Sequence, residues 1–487
     1  MEKITKKSLN REAAGLTQKL PIKVIQYGEG NFLRAFVDYV IDKLNKKADF
    51  NAGVAVIQPL AGGLVDVLNK QDGLYNLFMK GIKKGKEIQE QETISCIQKG
   101  INPYEDYQAY LNLAKEEQLE FLISNTTEAG IAYNENDTLE GHPHNSFPAK
   151  VTALLYKRFQ HFNGAKDKGL SIIPCELINY NADALKDIIL KYAELWKLED
   201  KFVSWIKDHN DFHNTLVDRI VPGYPKDDID SYQEKLELED KLIVSAEVFL
   251  LWVIEGGEKL KSRIPFDKID ENILIVEDLQ PYRTRKVRIL NGAHTTMVPF
   301  SILYGNETVK ETVDHEFTGK YIREAVFEEI NPTLELSEEE LRTFAEEVFD
   351  RFRNPFIKHQ LSSIALNSIS KFKVRVLPSI LTFQKKYNRL PLRLTYAFAC
   401  LIRFYKGEWK GESLPVNDDE KTTSELKQAW ELNSYNEIAE RVLKNGNFWD
   451  MDLTEVPQFK EKIATALELI DNKGIEEGFK AFSEKSE

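Results

Sequence analysis

An apolar run that stops at a pair of glycines sets the first constraint on this chain. Ile22-Lys23-Val24-Ile25-Gln26-Tyr27 reads as a buried strand, and Gly28-Glu29-Gly30 follows it directly. From Phe32 the apolar residues Phe36, Val40, Ile41 and Leu44 fall at helical spacing, and Val54-Ala55-Val56-Ile57 is a second short strand. Strand, glycine turn, helix and strand make a βαβ unit. Phe121-Leu122-Ile123-Ser124 and Leu170-Ser171-Ile172-Ile173-Pro174 repeat the strand type, and Leu185 to Trp196 is helical. The alternation predicts an α/β fold: an N-terminal, Rossmann-type doubly wound sheet with helices on both faces.

The turn has the chemistry of a dinucleotide site. Gly28 permits a tight turn, and Gly30 lets the backbone approach a pyrophosphate held over the N–H groups of the helix start. Ala35 stands where a third glycine often does and is small enough for helix–strand packing. The expected contact set runs through Ile25, Gln26, Tyr27, Gly28, Glu29, Gly30, Asn31, Phe32, Leu33, Arg34 and Ala35. The place for an acid on the adenosine ribose, at the end of the second strand, holds Gln58-Pro59 instead. Gln58 can accept a hydroxyl bond, and no arginine follows it to clamp a 2′-phosphate. The expectation is NAD.

The character changes near residue 280. Ile273-Leu274-Ile275-Val276 is the last parallel-type strand, and helices dominate beyond it. Ser337 with Glu340 forms a capping box for a helix carrying Leu341, Phe344, Ala345, Val348, Phe349 and Phe352 on one face. Leu394 to Tyr405 is apolar almost all round and reads as a central buried helix. The expected domains are therefore 1–280, binding the dinucleotide, and 281–487, mainly α-helical and carrying substrate and catalytic groups.

At that seam lies Lys286-Val287-Arg288-Ile289-Leu290-Asn291-Gly292-Ala293-His294. At ~100° per residue, Asn291 lies ~140° and His294 ~80° around an α-helix from Lys286. One broad face carries an amine, an amide and an imidazole, which suits proton transfer at an alcohol oxygen whose charge the donors hold. Taken singly, Lys286 fits a solvated helix lysine, Asn291 a helix-end residue and His294 a partly buried structural histidine. The combination carries the argument. Gly292 costs about 1 kcal/mol in a helix interior, which suggests a close backbone approach.

Composition narrows the class. A net charge of −13 argues against nucleic acid and anionic membranes as partners. Three cysteines, Cys96, Cys175 and Cys400, have no CxxC spacing and fit buried small residues in the cytosol. The first 20 residues lack a signal core, and the densest apolar run, Val248 to Ile254, is far short of the ~20 residues that span a bilayer. The expectation is a soluble, cytoplasmic monomer or small homo-oligomer. His142-Pro143-His144 resembles a metal pair, but it reads as a loop with no third ligand nearby, and no metal is expected.

At this point the chain resembles the mannitol dehydrogenase family, the long-chain, zinc-independent polyol dehydrogenases. The resemblance runs nearly full length: Gly28 to Ala35, Gln71-Asp72-Gly73-Leu74-Tyr75, Thr127-Glu128-Ala129-Gly130, Val217-Asp218-Arg219-Ile220-Val221-Pro222, Lys286…Asn291…His294 and Arg351-Phe352-Arg353-Asn354-Pro355. Within the family, YGEGNFLRAF, SNTTEAGI, IIPCELINYN, ILNGAH and RFRNPFIKHQL are most similar to members acting on hexuronates. The resemblance implies interconversion of D-tagaturonate and D-altronate with NAD(H) in hexuronate catabolism. It makes Lys286 the general acid/base, with Asn291 and Asn181 polarising the carbonyl and His294 holding the reacting oxygen. Glu128 matches a glutamate that helps Lys286 exchange protons with solvent, and Asp218 a residue near the nicotinamide.

Two departures from mannitol-type members bear on the substrate. Arg283 stands where they tend to have glutamate, three residues before the lysine; a nearby cation lowers a lysine pKa. Arg353 replaces their serine in RFSNP, and they carry an acid near His359. Both changes suit a uronate carboxylate, so Arg353 is the expected contact, with His359, Lys371 and Arg375 as helpers. The alternatives are a fructuronate reductase or a mannitol-type polyol 2-dehydrogenase, and, from another class, a non-catalytic nucleotide-binding sensor.

Overall fold

We describe the protein from a computed structural model, in which residues 6–127, 129–269 and 271–485 are placed well enough to describe. The chain divides into two compact units. One runs to Lys80 and resumes from Glu87 to Leu279; the other runs from Gln280 onward and includes the hairpin tip Gly81–Lys86.

The first unit carries strands β1 (Ile22–Tyr27), β2 (Gly53–Ile57), β3 (Tyr75–Lys83), β4 (Lys86–Ile94), β5 (Ile97–Ile101) and β6 (Phe121–Ser124). They are followed by β7 (Ser171–Pro174), β8 (Asp211–Phe212), β9 (Thr215–Asp218), β10 (Val244–Glu247), β11 (Leu251–Glu255) and β12 (Ile273–Val276). Among the described residues, six strands form one parallel sheet in the order β5-β2-β1-β6-β7-β8. Numbered within that sheet the order is 3-2-1-4-5-6, and it reverses between β1 and β6. Ligands bind outside the carboxyl ends of the strands at such a reversal.

Both faces of the sheet are covered, because successive residues of a strand point to opposite sides. Val24, Val54, Val56, Phe121, Ile123 and Ile173 enter one core with helix Val37–Ala48 and residues of β3, β10 and β11. Ile25, Tyr27, Ala55, Ile57, Leu122 and Ile172 enter the other, against helices Phe147–His161, Asn181–Leu195 and Asp200–His209. Full burial of each large apolar side chain contributes roughly 1.5–3 kcal/mol. The helix read from Leu185 thus begins four residues earlier, at Asn181.

One strand departs from its expected place. Ile273–Val276 does pair in parallel, but with β11, in a separate three-stranded sheet β12-β11-β9 whose β11–β9 pair is antiparallel. Its four residues are all only partly buried, as befits an edge strand. A third sheet, β10-β3-β4, holds the hairpin whose tip is Gly81–Lys86.

The second unit is helical apart from a two-residue β-ladder at Glu408–Trp409 and Glu412–Ser413. Helix Glu338–Phe352 opens on the expected capping box: Ser337 Oγ accepts the Glu340 N–H at 3.3 Å and donates to the Glu340 carboxylate at 2.8 Å. Leu341, Phe344, Ala345, Val348, Phe349 and Phe352 are its buried stripe. Helix Leu392–Phe404 is buried from Leu394 onward. No helix among the described residues is long and apolar enough to cross a membrane.

Candidate active site

The glycine turn is shaped by what a side chain would strike. Gly28 has φ 121°, and a Cβ there would meet Asn125 O at 3.0 Å and Leu33 Cδ1 at 3.1 Å, so only glycine fits. At Gly30 a Cβ would meet nothing within 4 Å, and no side chain caps the helix that starts at Asn31. Unpaired backbone donors beside open space at the sheet's switch point fit a pyrophosphate.

Several residues expected to touch the cofactor lie beneath the turn. Ile25, Gln26, Tyr27, Leu33, Arg34 and Ala35 are all buried. The Gln26 amide donates to Gly28 O and to Asp38 Oδ2, both at 3.1 Å, and burial pushes the Asp38 carboxyl up to about 7. Tyr27 and Tyr110 share a hydroxyl bond at 2.6 Å. Arg34 is 2% exposed; it donates to Glu29 O at 3.0 Å, Leu242 O at 2.6 Å and Asn31 Oδ1 at 2.8 Å. A guanidinium so committed fixes the turn's shape. Gly30 is exposed, and Glu29, Asn31 and Phe32 around it are partly buried.

Gln58 also has different work from that expected. It is 3% exposed, donates to Leu60 O at 2.9 Å and Ala61 O at 3.1 Å, and accepts the Val65 N–H at 3.3 Å. It therefore ties down the loop after β2. The Glu29 carboxylate lies beside the same loop: a Cβ on Gly63 would collide with Glu29 Oε1 as well as with Gln58. Burial pushes the Glu29 pKa up, against the pull of backbone N–H groups and Arg34. Glu29 is in the expected contact set; folding, not sequence position, brings its carboxylate to the loop after β2. Asp218 closes β9 and is 8% exposed. Its neighbour Arg219 donates to Glu247 O at 2.9 Å and to Ala35 O at 2.6 Å.

Glu128 lies outside the described residues. The segment before it is held by Glu176, a residue the sequence did not single out. Its buried carboxylate accepts from Ser124 Oγ at 3.0 Å, the Thr126 N–H at 3.0 Å and Thr126 Oγ1 at 2.9 Å. Asn181, expected to polarise a carbonyl, is fully buried, and its NH2 donates to Pro174 O at 3.0 Å, Glu176 O at 3.1 Å and Thr215 Oγ1 at 3.1 Å. Its oxygen accepts the Thr215 N–H at 3.0 Å. That amide is spent on anchoring its helix. Between Glu176 and Asn181 the chain arches outward, with Leu177, Asn179 and Tyr180 exposed.

In the second unit, Lys286–Asn291 forms a π-helical turn between the α-helices Gln280–Arg285 and Gly292–Tyr304. The α-helical angles drawn from sequence therefore do not hold. A π turn bonds i to i+5, so residues five apart take up the relation that residues four apart have in an α-helix. Lys286 and Asn291 are five apart, and His294 follows Asn291 by three along the resumed α-helix. The widened turn brings the amine and amide into closer line than an α-helix would. Gly292 closes it where a Cβ would lie 3.2 Å from Arg375 O, the close backbone approach its presence suggested. Lys286, Asn291 and His294 are all partly buried. Arg285, 5% exposed, lies over the Phe344 ring at 4.3 Å, and burial pushes the Arg288 guanidinium down to about 10.

The His294 ring packs on Phe352 at 4.5 Å and edge-on against His359 at 5.1 Å. Burial and then Arg351 push the His359 pKa down, so this ring is neutral near pH 7. Arg375 Nη1 lies 3.4 Å from Thr295 Oγ1, one residue past His294. Lys371 donates to Ile364 O at 3.0 Å; burial and then Arg375 push its pKa down. Arg353 stands apart, with Nε 3.7 Å from Asp314 Oδ1 and its guanidinium 6.0 Å from the Phe349 ring. Residues two apart at a helix end point ~200° from each other, so Arg351, not Arg353, shares the side of His359 and His294. The sequence departure drew attention to Arg353; the helix phase would have favoured Arg351. His142 and His144 are taken up in aromatic packing: His142 stacks on Tyr107 at 4.5 Å and His144 lies 5.0 Å from Trp196.

Comparisons with known proteins cover the whole of this arrangement. The model of the mannitol dehydrogenase Rossmann domain matches residues 22–268, and that of the mannitol dehydrogenase C-terminal domain matches residues 278–471. Among curated proteins, an altronate oxidoreductase of Yersinia pestis bv. Antiqua (strain Nepal516) is 45% identical over 95% of this chain and 97% of its own length. One from Escherichia coli O7:K1 (strain IAI39 / ExPEC) is 45% identical over 97% and 99%. Among solved structures, D-sorbitol dehydrogenase in substrate-free form superposes with a TM-score of 0.78 at 20% identity, covering 94% of this chain and 95% of that one. Pseudomonas fluorescens mannitol 2-dehydrogenase, in a ternary complex with NAD and D-mannitol, gives 0.63 at 19% identity over 98% and 100%.

Proposed function

The chain belongs to the mannitol dehydrogenase family and is an NAD-dependent oxidoreductase acting on CH–OH groups; we propose that it interconverts D-altronate and D-tagaturonate. The observation that carries this reading is the 45% identity, over nearly the full length of both chains, to proteins named altronate oxidoreductase. The set of partly buried cations around the His294–His359 pair supports it, since a uronate brings a carboxylate that a polyol lacks.

A nicotinamide held at the Gly28–Gly30 turn would supply the hydride chemistry, taking hydride from the carbinol carbon in oxidation and returning it to the ketone carbon in reduction. The residues of this chain manage charge and protons. Lys286 takes the alcohol proton in oxidation and returns it in reduction. Asn291 and His294, and the exposed Asn179 rather than the buried Asn181, donate to the oxygen as its charge grows. Each such donor typically contributes 10²–10³ in rate, about 2.7–4 kcal/mol. Arg283, Arg285 and Arg288 surround Lys286 in sequence, and cationic neighbours favour its neutral form. Arg351, with Lys371 and Arg375, takes the substrate carboxylate. Glu29 accepts from the adenosine ribose and repels a 2′-phosphate.

Initial rates with tagaturonate, fructuronate and fructose, each with NADH and NADPH, test this directly. The expected preferred pair is tagaturonate with NADH. In Glu29→Gln the preference for NADH over NADPH should fall by about tenfold, the equivalent of ~1.4 kcal/mol of charge repulsion removed. Faster turnover of fructuronate or fructose would overturn the substrate assignment. An unchanged coenzyme ratio would remove Glu29 from ribose recognition.

A further inference from the structure

The helical unit contains a second polar cavity, built from residues that the proposed reaction does not use. It has a volume of about 280 Å³ and is walled by Arg389, Thr395, Gln458, Lys462, Phe482 and the apolar stretch Leu390–Leu392. Two cations and, among the described residues, no carboxylate line it, in a chain whose net charge is −13. Thr395 is 1% exposed, and its hydroxyl has no hydrogen-bond partner among the described residues. A buried hydroxyl left so costs free energy unless something in the cavity bonds it.

A second feature points the same way. The 15-residue helix Phe459–Lys473 starts at the cavity wall, and its N-cap, Gln458, has φ 62° and makes no side-chain capping bond. The other helix start at the cavity, at Leu392, is already served by an anion: the Glu329 carboxylate accepts the Arg393 and Leu394 N–H groups, each at 2.9 Å. The donors directed at a ligand are thus the Phe459 helix start, Thr395 and the two cations. Lys462 donates to Lys485 O at 3.3 Å and passes over the Phe482 ring at 5.8 Å, and burial pushes its pKa down. A dianion in the cavity would favour its charged form.

We propose that this cavity binds a small phosphate monoester. The phosphate would sit on Arg389, Lys462, the Thr395 hydroxyl and the N-terminus of Phe459–Lys473. The ester's carbon chain would lie against Leu390, Pro391 and Phe482, an apolar surface that free phosphate does not use.

Calorimetric titration of the full-length protein with inorganic phosphate and with glycerol 3-phosphate tests the proposal. The expected result is saturable, millimolar-range binding of both, tighter for the ester. Thr395→Val keeps the side-chain volume and should weaken both by about tenfold. Arg389→Met and Lys462→Met should weaken them at least as much, and Arg351→Met should leave them unchanged. All three cavity variants should keep wild-type turnover in phosphate-free buffer, which shows that they fold. No saturable binding, or equal affinity in wild type and the three variants, would overturn the site. Tighter binding of free phosphate than of the ester would overturn the ligand class.

Discussion

Lys286→Met should lose about 10³ in kcat in both directions, while NADH still binds. Positioned proton transfer contributes 10²–10⁴, and methionine keeps the length of the side chain while removing the group that titrates. The residues proposed to hold the cofactor lie in the other unit, so coenzyme affinity, read by NADH fluorescence, should change by no more than about twofold. A variant that retains turnover within a factor of ten would take Lys286 out of the chemistry.

The second large effect concerns the carboxylate. Arg351→Met should lower kcat/KM for tagaturonate by about 10², in line with 1.5–3 kcal/mol for a hydrogen bond to a charged group. It should have little effect on fructose, which carries no carboxylate. Arg353→Ser should change both by no more than about threefold, because Arg353 is 38% exposed beside Asp314 and exposed ion pairs contribute ~0–1 kcal/mol. Reversal of the two variants would return the recognition role to Arg353.

Where the fold was legible, burial had left a simple trace. β1, β2, β6 and β7 are short apolar runs because a parallel sheet covered on both faces needs apolar residues on both sides. The Ser337–Glu340 box and the stripe behind it could be read residue by residue. The hairpin β3–β4 could not: of the nine residues of β4, only Ile94 is buried, so no alternation marks it. The π turn was hidden for another reason. Periodicity assumes a constant number of residues per turn, and Lys286–Asn291 breaks that assumption just where we propose the functional residues lie.

Site residues divide along the same line. Gly28, Gly30 and the Lys286–Asn291–His294 group, which we propose act at the site, could be picked out because their spacing is local. The placement of Glu29 over the β2 loop, of Glu176 under Thr126 and of Arg351 beside His359 depends on contacts between distant segments. Conversely, Arg34, Gln58 and Asn181 looked like ligand contacts because polar residues near a glycine turn or strand end usually face outward. Here each is buried and donates to backbone carbonyls.

The most direct test of the central claim, that the Lys286 amine exchanges its proton near neutrality, is the pH dependence of kcat/KM for altronate oxidation. Oxidation needs the neutral amine, so the rate should rise with pH and level off above an apparent pKa of about 7–8, far below the roughly 10.4 of a free lysine. That limb should vanish in Lys286→Met. A limb near the free-lysine value, or the same limb surviving in the variant, would contradict the account.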